Sequence, residues 1–243
     1  MSRSDVANAV VHSVVNDTVK AEAREVESLG AQRRGKLLLL PKAGPLLFAT
    51  DLHGNLGDFQ RIVEIFEARH AEAGRCQLLF CGDLIHGPDY ATEDWPDYLG
   101  TYYEDRSGEI LDALVALQER YPGEVHALLG NHEHSHIGGP HTPKFWMDET
   151  AHFEEIVGET RTQRYHALFR SFPVVALSAC GFAFTHAAPN VEVATLDEIE
   201  AVDYGGLDDM NFMSVYTMPV LGRLLWARRC PDAVAHRFLS VVG

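Results

Sequence analysis

Three apolar runs in this chain end on the same small set of oxygen and nitrogen donors, and that repetition limits the fold more than any other feature. Leu46 to Asn55 reads LLFATDLHGN, an apolar stretch that stops at Asp51 and places His53 just beyond it. Leu78 to Asp83 reads LLFCGD and continues as LIHGPD, while Val125 to Glu133 reads VHALLGNHE. A short apolar run bounded by glycine predicts a buried strand, and ligands in open α/β sheets sit beyond the carboxyl ends of such strands. The three strand ends therefore deliver Asp51, His53, Asp83, Asn131 and His132 to one edge of a sheet. A fourth run, GFAFTH, ends on His186. Helix-sized segments between the runs predict βαβ units.

At 243 residues the chain is long enough to bury one full α/β core. Its net charge of -15, from 20 Lys+Arg against 35 Asp+Glu, disfavours duplex nucleic acid or an anionic membrane as a partner. An anionic substrate then needs local positive charge, which metal ions held among carboxylates supply. Cys76, Cys81, Cys180 and Cys230 have no CxxC spacing and form no disulfide framework, and Cys81 reads as a small buried hydrophobe. Acids interrupt the N-terminal apolar residues and no apolar stretch approaches about 20 residues, so neither a signal peptide nor a membrane span is expected. A cytoplasmic location is the expectation.

Taken in order, residues Ser4 to Ser28 place Val6, Val10, Val14 and their neighbours at helical spacing, which predicts an amphipathic helix in an extension over 1–35. The catalytic domain is expected over 36–243. Lys36 to Leu40 and Leu46 to Thr50 flank the turn PKAGP and predict a hairpin at the start of the sheet. Asn55 to His70 predicts a helix on that sheet. Pro88 to Arg106 is rich in aromatics and acids without clear period, which predicts a loop or insert at the mouth of the site. A helix is expected from Ser107, read as a partial capping box, to Tyr121. Thr150 to Phe172 predicts one helix, and Val174 to Leu177 with Phe182 to Thr185 predict two strands of a second sheet. Helices are expected near Leu196 and over Ala233 to Val242. His134, His136 and His141 read as loop polar groups, and His70, His152 and His166 as surface residues of helices.

The chemistry follows from the donor types. Asp51 and His53 can grip one ion, Asn131 and His186 a second, and Asp83 can bridge the two. Mixed carboxylate, amide and imidazole donors without thiolate suit Mn, Fe or Zn better than Mg or Ca. Two such ions bind the oxygens of a phosphate and activate water for in-line attack. His132, adjacent to Asn131, is placed to give the leaving oxygen its proton.

DLHGN, GDLIHGPD, GNHE and FAFTHAAPN together resemble the ordered signature of the calcineurin-like metallophosphoesterases, over Leu46 to about Val242. More specifically they resemble the phosphoprotein phosphatase branch of bacterial and Shewanella-like type, a branch that also holds symmetrical diadenosine tetraphosphatases. The resemblance implies a four-layer α/β/β/α sandwich of two mixed sheets with helices outside. It also implies two divalent metals on Asp51, His53, Asp83, Asn131 and His186, with His132 as general acid.

Two departures from the family pattern stand out. The family's second motif carries an acid that orients the general-acid histidine and an arginine that holds phosphate, whereas here His86 stands at the acid's place and no arginine follows. Asp89 is a candidate for the acid. Trp226, Ala227 and Arg228 resemble a WxR segment of bacterial members, making Arg228, or Arg229, the candidate phosphate grip. The resemblance also implies a last Gly-His pair on a strand after the helix ending AVAHRFLSVVG, so the sequence is expected to be shortened at its C-terminal end. The functional expectation is a metal-dependent phosphatase acting on phosphoserine or phosphothreonine in proteins. Hydrolysis of diadenosine polyphosphates or small phosphoesters is the alternative with the same machinery. A catalytically impaired protein that binds metal or phosphate is the alternative of another class.

Overall fold

In the computed structural model, residues 30–143 and 147–242 are described; the N-terminal helix expected over Ser4 to Ser28 lies outside them. Among the described residues, seven short strands form two sheets. The first has the order β1(Gln32–Arg34), β2(Leu37–Leu39), β6(Val175–Leu177), β7(Ala183–Thr185), and the second β3(Leu46–Ala49), β4(Gln77–Phe80), β5(Val125–Ala127). The second sheet is parallel throughout, whereas the first is mixed, with only β2 and β6 parallel.

Alternation along the central strands assigns the layers. Leu79 of β4 meets Leu38, Ala176 and Leu128 in a cluster between the sheets. Phe80, one residue on, points the other way and stacks on Phe59 of α1(Leu56–Ala73) with ring centroids 5.4 Å apart. All four residues of β4 are buried, as a strand covered on both faces requires. On the far side, Leu37 and Val175 join a second apolar layer with Ile199, Leu224 and Phe238. Ile199, Leu224 and Phe238 come from α6(Leu196–Glu200), α7(Val220–Trp226) and α8(Asp232–Val242), whereas α5(Glu159–Ser171) packs against the helix that starts at Ser107, the Tyr165 hydroxyl donating to Gly108 O at 2.9 Å. The result is the expected α/β/β/α sandwich, with α1 and α2(Ser107–Arg120) outside the parallel sheet. A single helical turn, α3(Asn131–His134), follows the end of β5.

Three local expectations are corrected. Leu37–Leu39 and Leu46–Ala49 do not form a hairpin: they enter different sheets. The hairpin partner of β2 is β1, a polar exposed edge strand without an apolar signal, joined through Gly35 at φ 54°. The single helix expected over Thr150 to Phe172 is two, α4(Glu149–Val157) and α5, because Gly158 takes φ 77° and ψ 160°, outside any helix. Ser107 does not cap α2: it is the first helical residue, its hydroxyl donates to Asp105 and accepts from the His86 amide at 3.0 Å. The N-cap position is Arg106, which makes no side-chain cap hydrogen bond, and Asp105 just before it accepts the Ser107 amide at 2.8 Å. Among the described residues, no helix is long and apolar enough to cross a membrane.

His126 on β5 adds a pH term to the fold. Its Nε2 lies 2.9 Å from Gln77 Oε1 on β4, and burial pushes its pKa down to about 4. A base with a depressed folded pKa is neutral in the fold but charges in the unfolded chain, so stability is lost as pH falls from about 6.5 toward 4. His126→Gln should remove roughly 2 kcal/mol of that acid loss. Urea unfolding at pH 7 and pH 4.5 checks it, the variant showing the smaller difference between the two.

Candidate metal centre

The strand ends of the parallel sheet are braced before any side chain is considered. Beyond β3 and β4 the two loops run side by side, with the Asp51 amide donating to Gly82 O at 3.2 Å, His53 to Asp83 O at 3.0 Å and Gly54 to Leu84 O at 2.9 Å. Glu133, fully buried, ties the second loop to the third. Its carboxylate accepts the amides of Asp83 at 2.9 Å, Leu84 at 2.7 Å and Gly130 at 3.0 Å. Burial, with the charge of Asp83 beside it, pushes the Glu133 pKa up, against the pull of those amides.

Among the described residues, only four other than glycine have positive φ: Asp51 (52°), His53 (44°), Asp83 (55°) and His86 (65°). All four fall in these loops. Each such conformation costs on the order of 1–3 kcal/mol, and it persists where the surroundings dictate it. The bracing does so here, and the left-handed turns aim the side chains at a common point.

Asp83 is that point. Its Oδ2 lies 3.8 Å from His53 Nε2 and 3.9 Å from His132 Nε2, and its Oδ1 lies 3.5 Å from His186 Nε2. Asp51 Oδ1 is 3.7 Å from His53 Nε2, and Asn131 Oδ1 is 2.8 Å from His186 Nε2. The structure thus brings Asp51, His53, Asp83, Asn131, His132 and His186 together from four separate segments. The rings of His53 and His186 are oriented from behind: His53 Nδ1 faces Ile85 O at 3.2 Å and His186 Nδ1 faces Cys81 O at 2.8 Å. A carbonyl only accepts, so each ring keeps its proton on Nδ1 and turns the Nε2 lone pair toward Asp83.

This donor set fits a divalent ion. Imidazoles oriented by backbone carbonyls are the usual outer shell of metal ligands, and the separations of 3.7 to 3.9 Å between facing donors exceed hydrogen bonding while leaving room for a cation. His53, Asp83 and His132 form one group whose ligand atoms all lie within 4.8 Å of one another.

The residues around His132 depart from expectation. Asp89 is exposed and lies 3.8 Å from His152, so it is not the carboxylate beside His132. That place belongs to Glu149, the first residue of α4, whose Oε2 stands 3.6 Å from His132 Nδ1 and 3.9 Å from His86 Nδ1. His86 Nδ1 in turn meets His132 Nδ1 at 2.9 Å, and its Nε2 meets His136 Nε2 at 2.9 Å. The polar groups His134 and His136 are buried, and His134 Nε2 donates to Tyr204 O at 2.8 Å. Arg228 is exposed, and the adjacent Ala227 carbonyl accepts the Ala188 amide at 2.9 Å, which sets it beside the strand end that carries His186.

The expected insert folds on itself around Trp95, whose ring meets Tyr102 at 5.1 Å and Tyr103 at 5.2 Å. Beneath it a cavity of about 510 Å³ opens onto His86 and Glu149, walled by Tyr90, Tyr103, Asp105 and His152.

Residues 44–236 match the family model described as calcineurin-like phosphoesterase, a span that takes in the parallel sheet, its loops and the strand end at His186. The chain belongs to the calcineurin-like phosphoesterase family. A stretch of 85 residues is 31% identical to phosphodiesterase YfcE of Escherichia coli strain K12, covering 35% of this chain and 43% of that protein, with the same figures for the O157:H7 protein. The match thus spans less than half the length of these curated relatives. A mutant of a cold-active protein tyrosine phosphatase superposes with TM-score 0.51 at 14% identity, over 88% of this chain and 66% of that one. A Saccharomyces cerevisiae protein serine/threonine phosphatase with similarity to human phosphatase PP5 gives TM-score 0.48 at 17% identity, over 74% and 48%.

Gly82 tests the bracing. It has φ 90°, and a Cβ there would come within 2.6 Å of Gly130 Cα and 2.8 Å of His186 Nδ1. Gly82→Ala should push His186 off Cys81 and displace Asp83, lowering activity by about 100-fold while the chain stays folded. Turnover and metal content beside a circular dichroism spectrum check this.

Proposed function

We propose that this chain is a metal-dependent phosphoesterase in which Asp51, His53, Asp83, Asn131 and His186 hold two divalent ions, of Mn, Fe or Zn, and His132 protonates the leaving oxygen. The observation that supports it is the convergence of four loop ends on buried Asp83, with donor separations suited to cations. Bound divalent ions supply Lewis-acid neutralisation of the phosphoryl charge and activation of water at neutral pH. The protein's own groups do the rest. The Asp83 carboxylate faces both halves of the donor set, so it is the residue able to serve both ions. His132 is held by its amide donating to Asp83 Oδ1 at 3.1 Å, which keeps its ring beside the reacting phosphate. Glu149 offsets positive charge that develops on His132 and His86. Arg228 is the phosphate grip that the second motif lacks.

As substrate we put first a phosphoserine or phosphothreonine in a peptide with basic flanks. Tyrosines and the carboxylates of Asp89, Glu104, Asp105, Glu109 and Glu149 outweigh Arg106 and Arg161 in the wall of the cavity beside His86, and this excess of negative charge favours a cationic or aromatic leaving group over a polyanion. The second reading, a small phosphodiester, is favoured by the likeness to phosphodiesterase YfcE and by a cavity within the range of small-molecule sites. Location in the cytoplasm belongs to the same proposal.

A panel of phosphopeptide, diadenosine tetraphosphate, a phosphodiester and an aryl phosphate, run with defined Mn, Fe and Zn, decides between substrates. Asp83→Asn should lose at least about 100-fold in activity together with bound metal. His132→Asn should keep its metal but slow poor leaving groups by about 100-fold or more, with a smaller effect on the aryl phosphate. Full activity of that variant on the phosphopeptide overturns the role given to His132. Glu149→Gln should lower kcat about tenfold or more at unchanged metal content and KM.

A further inference from the structure

A second group of ligand-type side chains lies away from Asp83. His136 Nδ1 meets Glu154 Oε1 at 2.8 Å, and His166 Nε2 meets the same oxygen at 2.9 Å. The three ligand atoms lie within 4.8 Å of one another. They come from three separate pieces of chain: the loop after α3, helix α4 and helix α5. We propose that His136, Glu154 and His166 form an additional divalent-metal site, selective for zinc.

Four features carry this. The set is two imidazoles and one carboxylate with no thiolate or amide, the combination that binds zinc with further positions left for water. Both rings are directed at one carboxylate oxygen from different elements, so the donors already converge on a single point. The His136 side chain is 1% exposed while those of His166 and Glu154 are 25% and 33% exposed, which anchors the site on its inner side and opens it to solvent on its outer side. Finally, His136 Nε2 already has a partner, His86 Nε2 at 2.9 Å, as the second nitrogen of a metal-bound imidazole generally does. The two helices that supply Glu154 and His166 meet at the Gly158 break, so an ion there ties both to the loop that follows His132.

Zinc counting tests it without reference to activity. Chelator-stripped wild-type protein is reloaded with Zn²⁺ alone, desalted and analysed for zinc and protein; His166→Gln should hold one zinc per chain fewer. The same comparison between Asp83→Asn and the Asp83→Asn/His166→Gln double variant removes the inner centre from the reckoning, and the difference should again be one. In a Co²⁺ titration of the Asp83→Asn chain, His166→Gln should remove the visible absorption band of the site and weaken binding at least about 100-fold. Glu154→Gln provides a second variant that conserves shape, and should behave as His166→Gln does. Equal zinc content across each pair, in chains with unchanged circular dichroism, overturns the site.

Discussion

A buried carboxylate with three backbone amides pointed at it holds this molecule's working face together. Glu133 has no exposure, and it accepts from Asp83, Leu84 and Gly130, one oxygen serving two loops. A buried anion is expensive unless its lone pairs are met, and here they are met by the very amides whose positions define the Asp83 turn. The left-handed backbone at Asp83 is thus stabilised by the same contacts that compensate Glu133. Asp83 places a second carboxylate next to it, so the pair carries mutual repulsion that a cation bound at the strand ends would relieve.

What the sequence makes legible is what repeats. Apolar runs ending on Asp or Asn beside glycine predict strands and their loop ends from local pattern alone, and the parallel sheet with Asp51, Asp83 and Asn131 at its edge follows. The hairpin of β1 with β2 is hidden because Gln32–Arg34 is an exposed edge with no apolar residue to mark it. Gly158 breaks a helical pattern whose apolar period runs on through it, so periodicity joins what φ separates. Glu149 is illegible for a different reason. An acid at the first turn of a helix is ordinary N-terminal chemistry, and nothing local distinguishes one that reaches His132 from one that faces water. His136 gives a partial signal, the alternation of His132, His134 and His136, but alternation in a loop does not say which rings are buried.

The departure in the second motif is compensated in space, not in sequence. His86 occupies the position where the family pattern places an acid, and the carboxylate comes instead from α4, far along the chain but 3.6 Å from His132 in the fold. Two side chains therefore stand beside His132 where the family pattern has one: His86 touches it directly, and the Glu149 carboxylate lies near both rings. The fold tolerates this because the His86 loop is pinned independently, its amide held by Ser107.

The head-to-head joining of the three imidazoles has a consequence of its own. His132 meets His86 through Nδ1 on both rings, and His86 meets His136 through Nε2 on both, so each junction holds a single hydrogen. While the rings are neutral, a hydrogen taken to the Nδ1 side of one ring must be surrendered by the Nδ1 of its neighbour. The row therefore has two coherent arrangements, one with every N–H directed inward and one with every N–H directed outward. Whatever grips His136 at its outer nitrogen decides between them, and the nitrogen that His132 turns toward Asp83 is either a donor or a lone pair accordingly.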